Sequence, residues 1–177
     1  RSFSNWAPEL SVSWKPADGY RHWVRASTGY AIPGFGNLLT NPFTGLAGTN
    51  FDLKPQKNLN VEIGTESRLH KTLTVQLVGF VTFVKDEIIT QVVSNTGGQA
   101  AINADSSQYR GIELFYDWRP LDGLRFSGAY THIDAKYINF SDRFLAGGIP
   151  TAFVRDGKVV PNVPTDVLNT KVAYDHA

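Results

Sequence analysis

The sequence predicts an all-β chain: an antiparallel up-and-down meander of about seven strands forming part of a large transmembrane β-barrel. Three observations carry this. Apolar and polar residues alternate with a two-residue period over most of the chain. Short and long connections strictly alternate between the strands. Aromatic residues make up 12% of the composition, and several lie on the apolar faces beside short turns.

The strands read in order. Leu10, Val12 and Trp14 oppose Ser11, Ser13 and Lys15. After the turn Lys15-Pro16-Ala17-Asp18-Gly19, a second strand runs toward Tyr30; there Trp23 breaks the pattern, sharing the parity of Arg25 and Ser27. In the third, Leu59, Val61, Ile63 and Leu69 share one face, and Asn60, Glu62, Gly64, Glu66 and Arg68 the other. Leu69 to Thr72 is a short link into a run from Leu73 to Ile89 that is apolar on both faces. Ile112, Leu114, Tyr116 and Trp118 oppose Gly111, Glu113 and Asp117, with Phe115 as the exception. Arg119-Pro120-Leu121-Asp122-Gly123 nearly copies the first turn, Pro and Asp-Gly supplying the dihedrals. Leu124, Phe126 and Tyr130 then oppose Arg125, Ser127 and Thr131, and Leu168, Val172 and Tyr174 oppose Asn169, Lys171 and Asp175.

Long connections are expected over 32–55, 94–107 and 140–164. Strict alternation places these at one end of the strands and the short turns at the other. Outer-membrane barrels have this asymmetry, with short periplasmic turns and long extracellular loops. The physical reason is that hydrocarbon offers no partner for backbone N–H and C=O groups, so only helices or a closed barrel cross it. The longest apolar stretch, Val75 to Val84, is far short of the roughly 20 residues a transmembrane helix needs. Trp14, Trp118 and Phe126 are expected in a periplasmic girdle, and Tyr30 and Tyr137 in an outer one. Soluble sandwiches also alternate, but their strands are typically five or six residues long and their turns mixed at both ends.

Composition narrows the function. There is no Cys, which excludes disulfides, thiolate metal sites and Cys nucleophiles. The net charge of +1 shows no basic face for nucleic acid. His22, His70, His132 and His176 have no paired metal spacing, so neither a metal site nor a resident cofactor is expected. Asp86, Glu87 and Asp134 read as solvation near loop ends, and no nucleophile with an adjacent base can be assembled, so the chain is not expected to be an enzyme. The chain has no Met and starts at Arg1, so a processed chain or a fragment is expected; no secretory signal peptide is visible, and any export would be directed by sequence outside these residues.

Five stretches resemble the barrel of TonB-dependent receptors: Ser27-Thr28-Gly29-Tyr30-Ala31-Ile32-Pro33; Leu53-Lys54-Pro55-Gln56-Lys57 followed by Asn60, Glu62 and Gly64; Tyr109-Arg110-Gly111-Ile112-Glu113; Gly128 to Ala135; and Val160-Pro161-Asn162-Val163-Pro164. Two departures stand out. Gln56 replaces the family's usual Glu, and Thr165-Asp166 replace a basic residue and His after the second Pro. The resemblance spans nearly the whole chain and implies a partial barrel domain over 1–177, with no plug domain. It implies residence in the bacterial outer membrane and active uptake of a scarce nutrient, most often a ferric siderophore. It also implies partners in outer-membrane lipid and, through sequence outside these residues, a plug and TonB. Glu62, Glu66, Arg68 and Glu113 would then face the lumen and plug. Loop residues Phe35, Asn37, Asn41, Phe43, Phe51, Phe140, Arg143, Phe144 and Arg155 are the candidate ligand contacts. Rings would meet an organic scaffold, amides its oxygens and arginines an anion. The rival readings are a passive porin-type channel and a soluble β-rich carbohydrate-binding or adhesion domain.

Overall fold

The structure is a computed structural model that describes residues 3–95, 97–146 and 149–175; for residues 143–146 and 150 it describes the backbone only. Seven strands form one antiparallel sheet in the order β1 (Glu9–Trp14), β2 (Tyr20–Ala31), β3 (Gln56–His70), β4 (Leu73–Val92), β5 (Gln99–Leu121), β6 (Leu124–Asn139) and β9 (Asp166–Tyr174). A separate hairpin of β7 (Ser141–Ala146) and β8 (Ile149–Val154) lies in the third long connection, and a four-residue helix, α1 (Phe35–Leu38), in the first. The sheet is open, with β1 and β9 at its edges.

Side chains directly opposite in an antiparallel ladder share a face. One cross-strand row therefore runs Val12, Val24, Ile63, Gly79, Ile112, His132, Asp166. The next runs Trp14, His22, Thr65, Leu77, Leu114, Tyr130, Leu168. On this outer face the large apolar residues are exposed: Val12 is 65% accessible, Ile63 64% and Val172 62%. The opposite, inner face carries Arg21, Arg25, Glu62, Glu66, Glu113 and Asp117.

The apolar band is oblique to the strands. Its upper limit falls between Lys57 and Leu59 on β3, but between Asp166 and Leu168 on β9, which is level with Ile63 and Thr65. That is a drift of about six residues in four strand steps; at about 3.3 Å per residue and about 4.8 Å between strands, the strands tilt by about 45°. At the lower limit Trp14 ends the band on β1, whereas β9 continues from the same row at Leu168 to Tyr174. This second drift, about six residues in six steps, corresponds to about 35°. Both values fall in the range of about 35–45° that membrane barrels adopt.

The connection expected over 94–107 is shorter: β5 begins at Gln99, and only 93–98 lie between the strands. β4 pairs with β3 as far as Lys85, and β5 with β6 from Ser106 downward; above these, Glu87–Val92 pairs only with Gln99–Ala104. The result is a two-stranded ribbon rising beyond the sheet. The first long connection packs on one side of it and the third on the other. The buried cluster of Ala104, Ala135, Tyr137, Phe140 and Val160 forms under the third, with Ile89, Ile102 and Tyr109 against it. Tyr137 is therefore not an outward girdle residue. It has inner-face parity on β6, is 5% accessible, and its ring packs against that of Phe140 with centroids 4.8 Å apart and planes inclined by 48°. Trp14, Trp118, Phe126 and Tyr30 do share outer-face parity, with the Trp118 and Phe126 rings 5.4 Å apart.

Candidate functional site

The inner face is a network of charges. Arg25 donates to Glu9 at 2.8 Å and lies 3.7 Å from Glu62, and Arg21 pairs with Glu66 at 3.4 Å. The Arg21 guanidinium also sits 4.7 Å over the ring of Trp23. Trp23 lies on this face and covers Gly64, where a Cβ would stand 2.0 Å from its indole. Glycine at 64 is thus what lets the ring lie flat against the sheet. The Thr82 hydroxyl donates to Asn60 at 2.7 Å. Of the residues expected in the lumen, Glu62 and Glu66 are held by these arginines. Arg68 shares their face and packs its Cβ beneath the turn glycine Gly19. Glu113 lies between Val78 and Thr131 and has no ion-pair partner among the described residues.

Above the sheet, two clefts flank the ribbon. Glu87 is buried, its carboxylate accepting hydrogen bonds from the hydroxyls of Ser107 and Tyr109. Its expected role in solvation is therefore corrected: the side chain turns inward under the third connection. It borders a cleft of about 660 Å³ whose far wall holds Arg155, Lys158 and Asn162. Arg155 is bound to Asp142 through its Nε at 2.6 Å and lies 5.8 Å over the Phe153 ring. A second cleft of about 440 Å³ separates the first connection from the base of the third, and Phe43, Asp52, Lys54 and Phe140 line it.

Asparagines fix the first connection. Asn50 donates to the Ala101 carbonyl at 2.8 Å, and Asn103 bridges the Lys54 N–H, the Lys54 carbonyl and the Asp86 carbonyl at 2.7–3.0 Å. Asp86 itself pairs with Lys54 at 3.7 Å. Gly45 has φ +70°, and a Cβ there would stand 2.3 Å from the Gln99 nitrogen, so the loop backbone touches the ribbon directly.

The candidate ligand residues divide accordingly. Phe35 and Phe51 are exposed at 77% and 58%, while Phe43 reaches one cleft, Arg155 the other and Phe140 both. Phe140 is only 4% accessible, and the Asn41 side chain accepts the N–H groups of Phe43 and Thr44 at 2.9 and 3.1 Å, so both hold the loops together. Asn37 is half-buried within α1. The side chains of Arg143 and Phe144 lie outside those described, as does His176. Glu87, which reads as solvation, Tyr109, which reads only as part of a strand, and Asn103 are brought to the clefts by the fold. The one available signal was an Asp-Glu pair interrupting an otherwise apolar run.

An oblique apolar band on one face, a charged network on the other and tall connections at one end define a segment of a membrane-barrel wall. The sequence matches, over residues 1–177, the model of the family described as TonB dependent receptor-like, beta-barrel, and the chain belongs to that family. Solved structures share the fold. The siderophore receptor PirA from Acinetobacter baumannii aligns over 98% of this chain and 27% of its own length, with TM-score 0.65 and 18% identity. The ferric-catecholate import receptor Fiu from E. coli aligns over 94% of this chain and 22% of its own, with TM-score 0.63 and 20% identity. The ferric yersiniabactin uptake receptor FyuA from Yersinia pestis aligns over 93% and 22%, with TM-score 0.60 and 22% identity. The chain thus spans about a quarter of the length of these receptors. The family is one of transport receptors of the bacterial outer membrane.

Proposed function

We propose that this chain is a wall segment of an outer-membrane receptor that takes up a ferric siderophore with energy delivered through TonB. The apolar band meets lipid, the charged inner face meets the plug, and the ribbon with its flanking loops stands outside the cell. The observation that carries the reading is the obliquity of the band. A soluble sandwich has no reason to end its apolar face along a line running at about 45° to its strands, whereas a tilted strand in a slab of hydrocarbon must. The printed identities of PirA, Fiu and FyuA as siderophore or ferric-chelate receptors support the ligand class.

Glu113 is then the carboxylate most available to a plug. Phe43 in one cleft and Arg155 in the other, the latter held in place by Asp142, are the ring and the cation offered to an aromatic, anionic chelate. The test is uptake of radiolabelled iron as a panel of ferric siderophores, under iron limitation, in a strain deleted for the whole receptor gene. Loss of uptake of one chelate, restored by the intact gene and weakened by Phe43→Ala with Arg155→Ala, is the expected result. Uptake unaffected by the deletion for every chelate contradicts the ligand class.

A further inference from the structure

We propose that the outer face carries a binding site for the phosphate-bearing headgroup of an anionic lipid, built on Lys57 and Lys85. These two lysines are direct cross-strand partners of like charge, and both are exposed. Such a pair destabilises a sheet unless an anion lies between the two charges. Neither has an ion-pair partner among the described residues. Tyr30 completes their row, in the position where an interfacial aromatic belongs.

The next row down is Leu59 and Phe83, exposed at 42% and 46%, where the apolar band begins. A cleft of about 710 Å³ spans the step, with these two residues in its floor and Lys54, Lys57 and Lys85 around it. Apolar floor and cationic rim, one residue pair apart, match a molecule with acyl chains below and phosphate above. Free phosphate would use the rim and leave the floor bare.

The charges around this edge favour an anion. The outer face above the band presents Lys57, Lys85, Arg110 and Lys136 against Asp134 and Asp166. Asp134 is shared by Arg110 at 2.9 Å and Lys136 at 3.0 Å, and Asp166 is held by Tyr130 and His132. The paired Lys54 and Asp86 cancel, leaving Asp105 as the acid that also borders the cleft.

The site rests on the membrane orientation proposed above, so the experiment reports on both. The full-length receptor is placed in nanodiscs of phosphatidylcholine with a minor fraction of phosphatidic acid, and bound lipid is counted by native mass spectrometry. Lys57→Gln with Lys85→Gln is expected to lower phosphatidic acid retention on the order of tenfold or more, given the attraction each cation exerts at an anionic surface. Lys57→Arg with Lys85→Arg keeps it, Asp105→Asn raises it, and Lys171→Gln on the inner face leaves it unchanged. Equal retention by wild type and the double Gln variant overturns the site. So does full displacement of the lipid by inorganic phosphate, which would mark the lysines as an anion site only. A receptor that will not enter nanodiscs at all overturns the orientation instead.

Discussion

From Leu124 to Thr131, β6 turns Leu124, Phe126 and Tyr130 outward and Arg125, Ser127 and Thr131 inward. From His132 to Tyr137 the same strand turns His132, Asp134 and Lys136 outward and Ile133, Ala135 and Tyr137 inward. No bulge separates the halves; the pairing with β5 runs unbroken from Phe126 to Tyr137. The alternation persists and its phase inverts. The lower half turns its apolar side chains outward, where no part of the sheet or its loops buries them, and the upper half buries them against its own loops. An outward apolar face without a protein partner, continuous with an inward one that has a partner, is what a change of solvent partway up the wall produces.

Breaking the upper half tests this contrast most severely. Phe140→Ala empties the space beside Tyr137 and Val160, at a cost of about 3–5 kcal/mol for a buried Phe. The amides of Tyr137, Gly157 and Val160, which pair across this junction, are expected to exchange faster, while the wall keeps its stability. An equal loss in the amides of β2 and β3 would show that the two halves fold as one core.

A charge in the band is the complementary break. Ile63→Arg should destabilise the full-length receptor in lipid by about 2–4 kcal/mol, whereas Thr131→Arg, directly opposite Glu113 on the inner face, should be nearly neutral. Urea unfolding in vesicles reads both, and equal losses would remove the distinction between the faces. The smallest expected effect is Asn103→Ala. It removes three hydrogen bonds to Lys54 and Asp86, should cost about 1–3 kcal/mol, and should speed proteolysis of the first connection but not of the third.

The wall was legible in the sequence because lipid enforces strict alternation and punctuates it with tight turns. Legibility ended where lipid does. The stretch from Ala100 to Ser107 reads as a loop because, apart from Ile102, it is built of Ala, Ser, Asn and Asp, poor formers of an exposed strand. It is a strand because loops clasp it from both sides. Ala101 and Ala104, at 2% and 0% accessibility, are small for that reason. Tyr137 reads as a girdle residue from its nearness to a long connection, but its parity, opposite to that of Phe126 and Tyr130, puts it inside. Trp23, which looks like a fault in the pattern, lies on the charged face and is given room there by Gly64. The candidate site was legible only as loops rich in rings and amides. Which of these pack and which are presented depends on contacts far apart in the chain, such as Asn103 with Lys54.

The tryptophans provide the most direct measurement of the central claim. Trp14 and Trp118 lie on the outer face within the band, and Trp23 lies on the inner face at a similar height. Variants of the full-length receptor retaining one of these three can be placed in vesicles of brominated phosphatidylcholine and their fluorescence quenching compared. The account predicts strong quenching of Trp14 and Trp118 and little of Trp23. Quenching of Trp23 as strong as that of Trp14 would contradict it, because the charged face would then be the one in contact with lipid.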